Sequence, residues 1–142
     1  MLEKQLIRWS PLNGVTAPHL LVSFSATPSS LDLILKEVHN PLRGIKISFE
    51  HSVVLHRITN ESLRISADNI STDINGQPMG TWTFYTVSNS RLISWLLEEG
   101  EIAPSKTERL SLTHFICGDI ESYIEIVATA TPKAEWITYG LE

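Results

Sequence analysis

The residues of this chain that could most readily do chemistry lie close together in one short stretch: His114, Cys117, Asp119, Glu121 and Glu125. A cysteine beside a histidine can form a nucleophile–base pair, and carboxylates beside either can bind a metal or act as general acid and base. The same stretch, however, alternates apolar and polar residues like two strands joined by a turn. Its side chains must therefore be sorted by strand face before chemistry is assigned to them.

Strand geometry separates His114 from Cys117. Successive side chains of a strand point to opposite faces, so two residues three positions apart cannot form a local pair. Cys117 shares a face with Phe115, which predicts a buried, structural cysteine rather than a nucleophile. A single cysteine also excludes an intrachain disulfide.

The turn and the strand that follow account for the carboxylates. Asp119 lies in GDIES and is typical of a turn, because its side chain can bond nearby backbone N–H groups. In the strand predicted at residues 123–130, one face is entirely apolar and is expected to meet the core. Glu125 lies on the opposite face, and we expect it to point to water or to a partner.

Dedicated catalytic and metal motifs are absent elsewhere. The sequence has no His-x-His, His-x-x-x-His or Cys-x-x-Cys spacing, no phosphate-binding glycine loop and no Gly-x-Ser-x-Gly elbow. We therefore assign no catalytic residue and expect no metal and no cofactor, although distant residues could still assemble a site. One polar group remains, Glu50 with His51, His56 and Arg57, and we interpret it as the junction of two strands.

The elements that must hold these residues are mostly strands. Alternating patterns predict them at residues 20–26, 31–38, 45–50, 53–59, 81–87, 110–117, 123–130 and, more briefly, 135–140. One helix is predicted at about residues 89–99, with Ser88 or Ser90 as N-cap, Gly100 at its end and Trp95 on its apolar face in the core. The expected fold class is α+β: a largely antiparallel sheet of about six to eight strands with one main helix, in a single domain spanning 1–142.

Charge bears on the kind of partner. The formal net charge is −5, and all of it arises in residues 91–142, which hold nine acidic and four basic residues. Without a basic patch we expect no nucleic acid, and without a long apolar run no membrane. The start of the chain lacks the pattern of a secretory signal, so a cytoplasmic location is expected. An acidic surface suits a basic protein partner.

A wider pattern combines five short motifs: Ile47-Ser48-Phe49-Glu50, Arg57-x-Thr59-x-Glu61, Trp82-x-Phe84-x-x-Val87-x-x-Ser90, His114-Phe115-Ile116 and Ile124 to Ala128 before Pro132. Over roughly residues 44–132, this pattern resembles the small, acidic, mostly β immunity proteins encoded beside the toxins of contact-dependent and polymorphic toxin systems of bacteria, and also many uncharacterised bacterial proteins of this size. The resemblance implies a protein without catalysis of its own, which binds a cognate toxin domain, often a basic nuclease, and blocks its active or substrate surface.

Three functional hypotheses follow. The leading one is a non-catalytic binding protein that neutralises a toxin domain; its candidate contacts are acidic residues with an aromatic anchor. A second is a small enzyme or ligand-binding domain with a pocket between helix and sheet that uses His56, His114 or Glu50. A third is a structural subunit that forms a homodimer through an edge strand, so monomer and homodimer both remain open. The candidate contacts are Glu98, Glu99, Glu101, Asp119, Glu121 and Glu125, with Trp136 or Tyr139 as anchor.

Overall fold

The computed structural model describes residues 5–60, 74–76, 82–99, 112–118 and 122–139. Nine strands and one helix occur in these ranges. In chain order they are β1 (Gln5–Arg8), β2 (His19–Ala26), β3 (Leu31–Glu37), β4 (Arg43–Phe49), β5 (Val53–Asn60), β6 (Phe84–Ser88), α1 (Arg91–Glu98), β7 (Thr113–Gly118), β8 (Ser122–Ala128) and β9 (Lys133–Thr138).

The strands form two antiparallel sheets. One has five strands in the order β1-β6-β7-β8-β5, and the other has four in the order β2-β3-β4-β9. The antiparallel hairpins β3–β4 and β7–β8 are those that the alternating patterns predict. The chain crosses between the sheets several times, so neighbouring strands in one sheet are often distant in sequence.

The core lies between the two sheets because each contributes one apolar face. From the four-stranded sheet, alternate residues of β3 and β4 are buried; from the five-stranded sheet, alternate residues of β7 and β8 meet them. The rings of Phe49 and Phe115 meet edge to face across the interface, with centroids 5.3 Å apart. Trp9, which could have been exposed near the terminus, packs against Phe84 and Phe115.

The outer face of the five-stranded sheet carries a second, smaller cluster. It consists of Leu6, Tyr85, Val87, Ile116 and Tyr123. Helix α1 follows β6 directly and contacts β7, and Leu96 is its buried residue. In the described part of the chain, no helix is long and apolar enough to cross a membrane.

The predicted fold class is confirmed in its main features. The strands are antiparallel, and one short helix accompanies them in the described ranges. The predicted number of about six to eight strands was too low, because β1 was not recognised. The strands also divide between two sheets, whereas one sheet was predicted. The turn-rich segment after Asn60 and the helix end at Gly100 lie outside the described residues, apart from 74–76.

Candidate functional site

The outer face of the five-stranded sheet buries two ionisable side chains, His114 and Glu125. Strand alternation directs His114 away from the core that Phe115 and Cys117 enter, as predicted. It likewise directs Glu125 away from the apolar face of β8. Both side chains are nonetheless almost fully buried, with residue exposures of 3% and 4%.

The prediction that Glu125 points to water or to a partner, as a candidate contact, is therefore wrong. The face was assigned correctly, but in this fold that face is covered rather than solvated. The burial is tolerated because Arg57, directly opposite on β5, forms an ion pair through its Nε with Glu125 Oε2. Burial by itself would raise the pKa of Glu125, but hydrogen bonds from His114 and Arg57, with the charge of Arg57, lower that pKa to about 2.

His114 links Glu125 to the start of the helix. Its Nε2 lies 3.0 Å from Glu125 Oε1, and its Nδ1 lies 2.7 Å from Ser90 Oγ. An ionised carboxylate can only accept, so Nε2 must carry a proton. In the neutral imidazole, Nδ1 is then an acceptor, and the Ser90 hydroxyl donates to it.

Ser90 is also the N-cap of α1. Its Oγ accepts a hydrogen bond from the backbone N–H of Ile93 at 3.1 Å, which confirms one of the two predicted caps. Four side chains, Ser90, His114, Glu125 and Arg57, therefore form a continuous chain of polar contacts, which we call the polar chain. It runs from the helix start across the outer face of the sheet.

A groove of about 1130 Å³ opens between α1 and the edge of the five-stranded sheet. Apolar side chains in its lining include Ile7, Ile93 and Trp95. Trp95 is 51% exposed, so the prediction that it lies in the core is wrong. The eight-residue helix buries mainly Leu96, and Trp95, one position before it, faces the groove instead.

Two of the predicted acidic contacts line this groove. Glu98 and Glu99, at the end of α1, are exposed and belong to its lining, as does the exposed Arg91 at the helix start. Glu101, Asp119 and Glu121 lie outside the described residues.

The predicted aromatic anchors belong to the other sheet. Trp136, on β9, is 38% exposed, and the guanidinium of Arg43 lies 4.1 Å from its ring centroid. Arg43 in turn donates from Nε to the fully buried Glu37 at 2.6 Å. Tyr139 is half-buried against Gly44. The predicted anchors and the groove therefore lie on different sheets and do not form one contact surface.

The residues proposed for an enzymatic pocket do not come together. His56 is exposed on the edge strand β5, where its ring meets Phe24 of β2 with centroids 5.4 Å apart. Glu50 is exposed and pairs with Lys133 at 3.2 Å. Of the three, only His114 adjoins the groove, and it does so through Ser90, which the sequence indicated only as a helix cap.

Cys117 behaves as predicted. It is buried in the core between the sheets, and this burial raises the pKa of its thiol to about 12. Among the residues that the structure describes, no three histidine, cysteine or carboxylate side chains are grouped as metal ligands would be.

Comparison of this chain with protein-family models, with curated protein sequences and with solved structures yields no significant match.

Proposed function

We propose that this protein binds a basic surface of a partner protein in the groove between α1 and the five-stranded sheet, and that the partner is a cognate toxin domain. The observation that carries the proposal is the half-exposed indole of Trp95 beside the exposed carboxylates of Glu98 and Glu99. Tryptophan is enriched among the anchor residues of protein interfaces, and this one lies with the apolar side chains of Ile7 and Ile93 in the lining of one groove.

The charges of the groove favour a basic partner. Two carboxylates and one guanidinium, that of Arg91, line it, so its own charge is negative. The excess acid of residues 91–142 adds a longer-range field of the same sign. Such a field speeds the encounter with a basic domain, while burial of the indole supplies the slow dissociation.

Neutralisation would follow from occlusion. A toxin that acts on nucleic acid carries a basic substrate surface, and an acidic protein bound there excludes the substrate. This is the function that the resembling immunity proteins suggest, and it assigns the protein to the cytoplasm of a bacterial cell, with a protein as its partner.

The test is to establish whether the product of the neighbouring gene is a toxin domain and to measure its binding to this protein. Calorimetry should give a defined Kd, and Trp95→Ala should weaken it at least tenfold, as for a buried aromatic anchor. Replacing Glu98 and Glu99 together by Gln should lower the association rate and flatten its dependence on salt.

Trp136→Ala is the matched control, because this tryptophan is also exposed but lies on the other sheet. It should leave the Kd unchanged. Loss of binding in Trp136→Ala but not in Trp95→Ala would move the interface to β9 and refute the groove. If the neighbouring product does not bind at all, neutralisation of that toxin is refuted.

A further inference from the structure

The polar chain reaches the groove at Ser90, whose hydroxyl contacts a histidine that a buried carboxylate orients. Ser90 belongs to the lining of the groove, and its Oγ is 2.7 Å from His114 Nδ1. His114 Nε2 is 3.0 Å from Glu125. We infer that Ser90 is a nucleophile activated by His114, and that the groove cleaves esters with an apolar acyl group.

The backbone around Ser90 presents its hydroxyl at a sharp turn. Strand β6 ends at Ser88, Asn89 adopts a left-handed conformation with φ 55°, and α1 begins at Arg91. This strand–turn–helix setting is one in which nucleophilic serines occur, although the usual flanking glycines are absent and Ser90 is only 6% exposed at the groove. Asparagine tolerates positive φ better than most residues, so Asn89 allows the turn that glycine would otherwise make.

The direction of the hydrogen bonds suits proton transfer out of Ser90. Glu125 accepts from His114 Nε2–H, which leaves the Nδ1 lone pair for the hydroxyl proton. Arg57 holds the other oxygen of Glu125, so the carboxylate is fixed in place. Glu125 is thus a positioning residue, while Ser90 and His114 are the catalytic residues.

The start of α1 supplies donors for the oxyanion. Ser90 Oγ accepts a hydrogen bond from the backbone N–H of Ile93, and the carbonyl oxygen of Ser90 accepts one from the N–H of Ser94. Within the described residues, the N–H groups of Arg91 and Leu92 have no hydrogen-bond partner, as expected for a first helical turn. These two groups adjoin the nucleophile, where the carbonyl oxygen of a bound ester would gain charge.

The reaction balances with water as the only co-reactant. Ser90 Oγ bonds to the acyl carbon while its proton passes to His114 Nδ1, and the carbon–oxygen bond to the alcohol breaks. His114 returns that proton to the departing alkoxide, which leaves an acyl ester on Ser90. Water, deprotonated by His114, then releases the acid and restores the hydroxyl. Ile7, Ile93 and Trp95 provide the apolar contacts for the acyl chain.

The first test is covalent labelling with a fluorophosphonate probe. Mass spectrometry should find one probe molecule per folded chain, on the peptide that contains Ser90. Ser90→Asn, which retains a good N-cap but no nucleophile, should lose the label. Ser25→Ala is the control, since Ser25 is an exposed serine on β2 in the other sheet, and it should label normally. An unlabelled wild-type protein, or a label on another residue, would overturn the inference.

The second test is hydrolysis of p-nitrophenyl butyrate. Ser90→Asn and His114→Gln should fall to the rate of buffer, and Ser25→Ala should stay within twofold of wild type. Glu125→Gln should lower kcat while leaving KM unchanged, because a positioning residue acts on the chemical step. A KM effect alone in Glu125→Gln would assign Glu125 to folding or ligand binding only. Partner binding is measured separately on the wild-type protein: labelling without binding of the toxin domain would refute the proposed function alone, and binding without labelling would refute the serine nucleophile alone.

Discussion

Replacing Glu125 by Gln removes one buried negative charge without changing the volume of the side chain. The lowering of the Glu125 pKa from 4.5 to about 2 means that the folded state favours the ionised carboxylate. That difference corresponds to about 3 kcal/mol at neutral pH. The Arg57 side chain is 42% exposed, so solvent screens part of the attraction. We therefore expect Glu125→Gln to lower the free energy of unfolding by about 2–3 kcal/mol at pH 7.

The sign of the pH dependence follows from the lowered pKa. A carboxylate whose pKa is lower in the folded state stabilises the protein fully above its unfolded pKa of 4.5 and loses that contribution as the pH falls toward 2. More than half of the contribution should be lost by about pH 3. The difference between wild type and Glu125→Gln should shrink by the same proportion, because the variant resembles the protonated acid.

The assay is urea unfolding followed by tryptophan fluorescence at several pH values between 7 and 3. His19 titrates in both proteins, so its effect cancels in the difference. Glu98→Gln is the control, because it makes the same substitution at an exposed position of α1. A difference between wild type and Glu125→Gln that stays constant from pH 7 to pH 3 would refute the role assigned to the Arg57–Glu125–His114 contacts.

Three further predictions concern the rest of the fold. Cys117, whose thiol pKa burial raises to about 12, should react with a thiol reagent only as fast as the protein unfolds; rapid labelling of the folded protein at neutral pH would contradict this. Gly44→Ala should destabilise the protein by about 1–3 kcal/mol in urea unfolding, because a Cβ there would lie 2.8 Å from Leu35 O and 2.9 Å from the Tyr139 ring; an unchanged midpoint would show that Tyr139 moves aside. Burial lowers the pKa of His19 to about 4, so the unfolded state gains protons first and stability should fall between pH 6.5 and 4; His19→Gln should flatten that part of the curve, and an unaltered slope would assign it to other groups.

Most strand faces could be predicted from the sequence. Alternation in β3, β4 and β8 reflects which side chains meet the core, and it correctly placed Cys117 and His114 on opposite faces. It did not predict whether the outer face of the five-stranded sheet is exposed to solvent. Alternation distinguishes two faces, but it does not record what covers the outer one, so Glu125 was assigned to water or to a partner.

The prediction of the helix had a similar limit: its position could be predicted from the sequence, but the exposure of its side chains could not. Apolar spacing predicted α1 and its Ser90 cap, because both depend on residues within one or two turns. Its exposure pattern depends on how the helix lies against the sheet. Trp95 has the spacing of a core residue, yet the docking of α1 buries Leu96 and leaves the indole in the groove.

The sequence alone therefore determined the local features: antiparallel strands, their two faces, one capped helix, a buried structural cysteine and an acidic C-terminal third. The polar chain was decided only by the tertiary structure. Arg57 and Glu125 are 68 positions apart, and Ser90 and His114 are 24 positions apart. Such pairs meet because of the order of strands in the five-stranded sheet and the register between them. Neither is encoded in the spacing of neighbouring residues, because period-two and helical patterns report only contacts within an element.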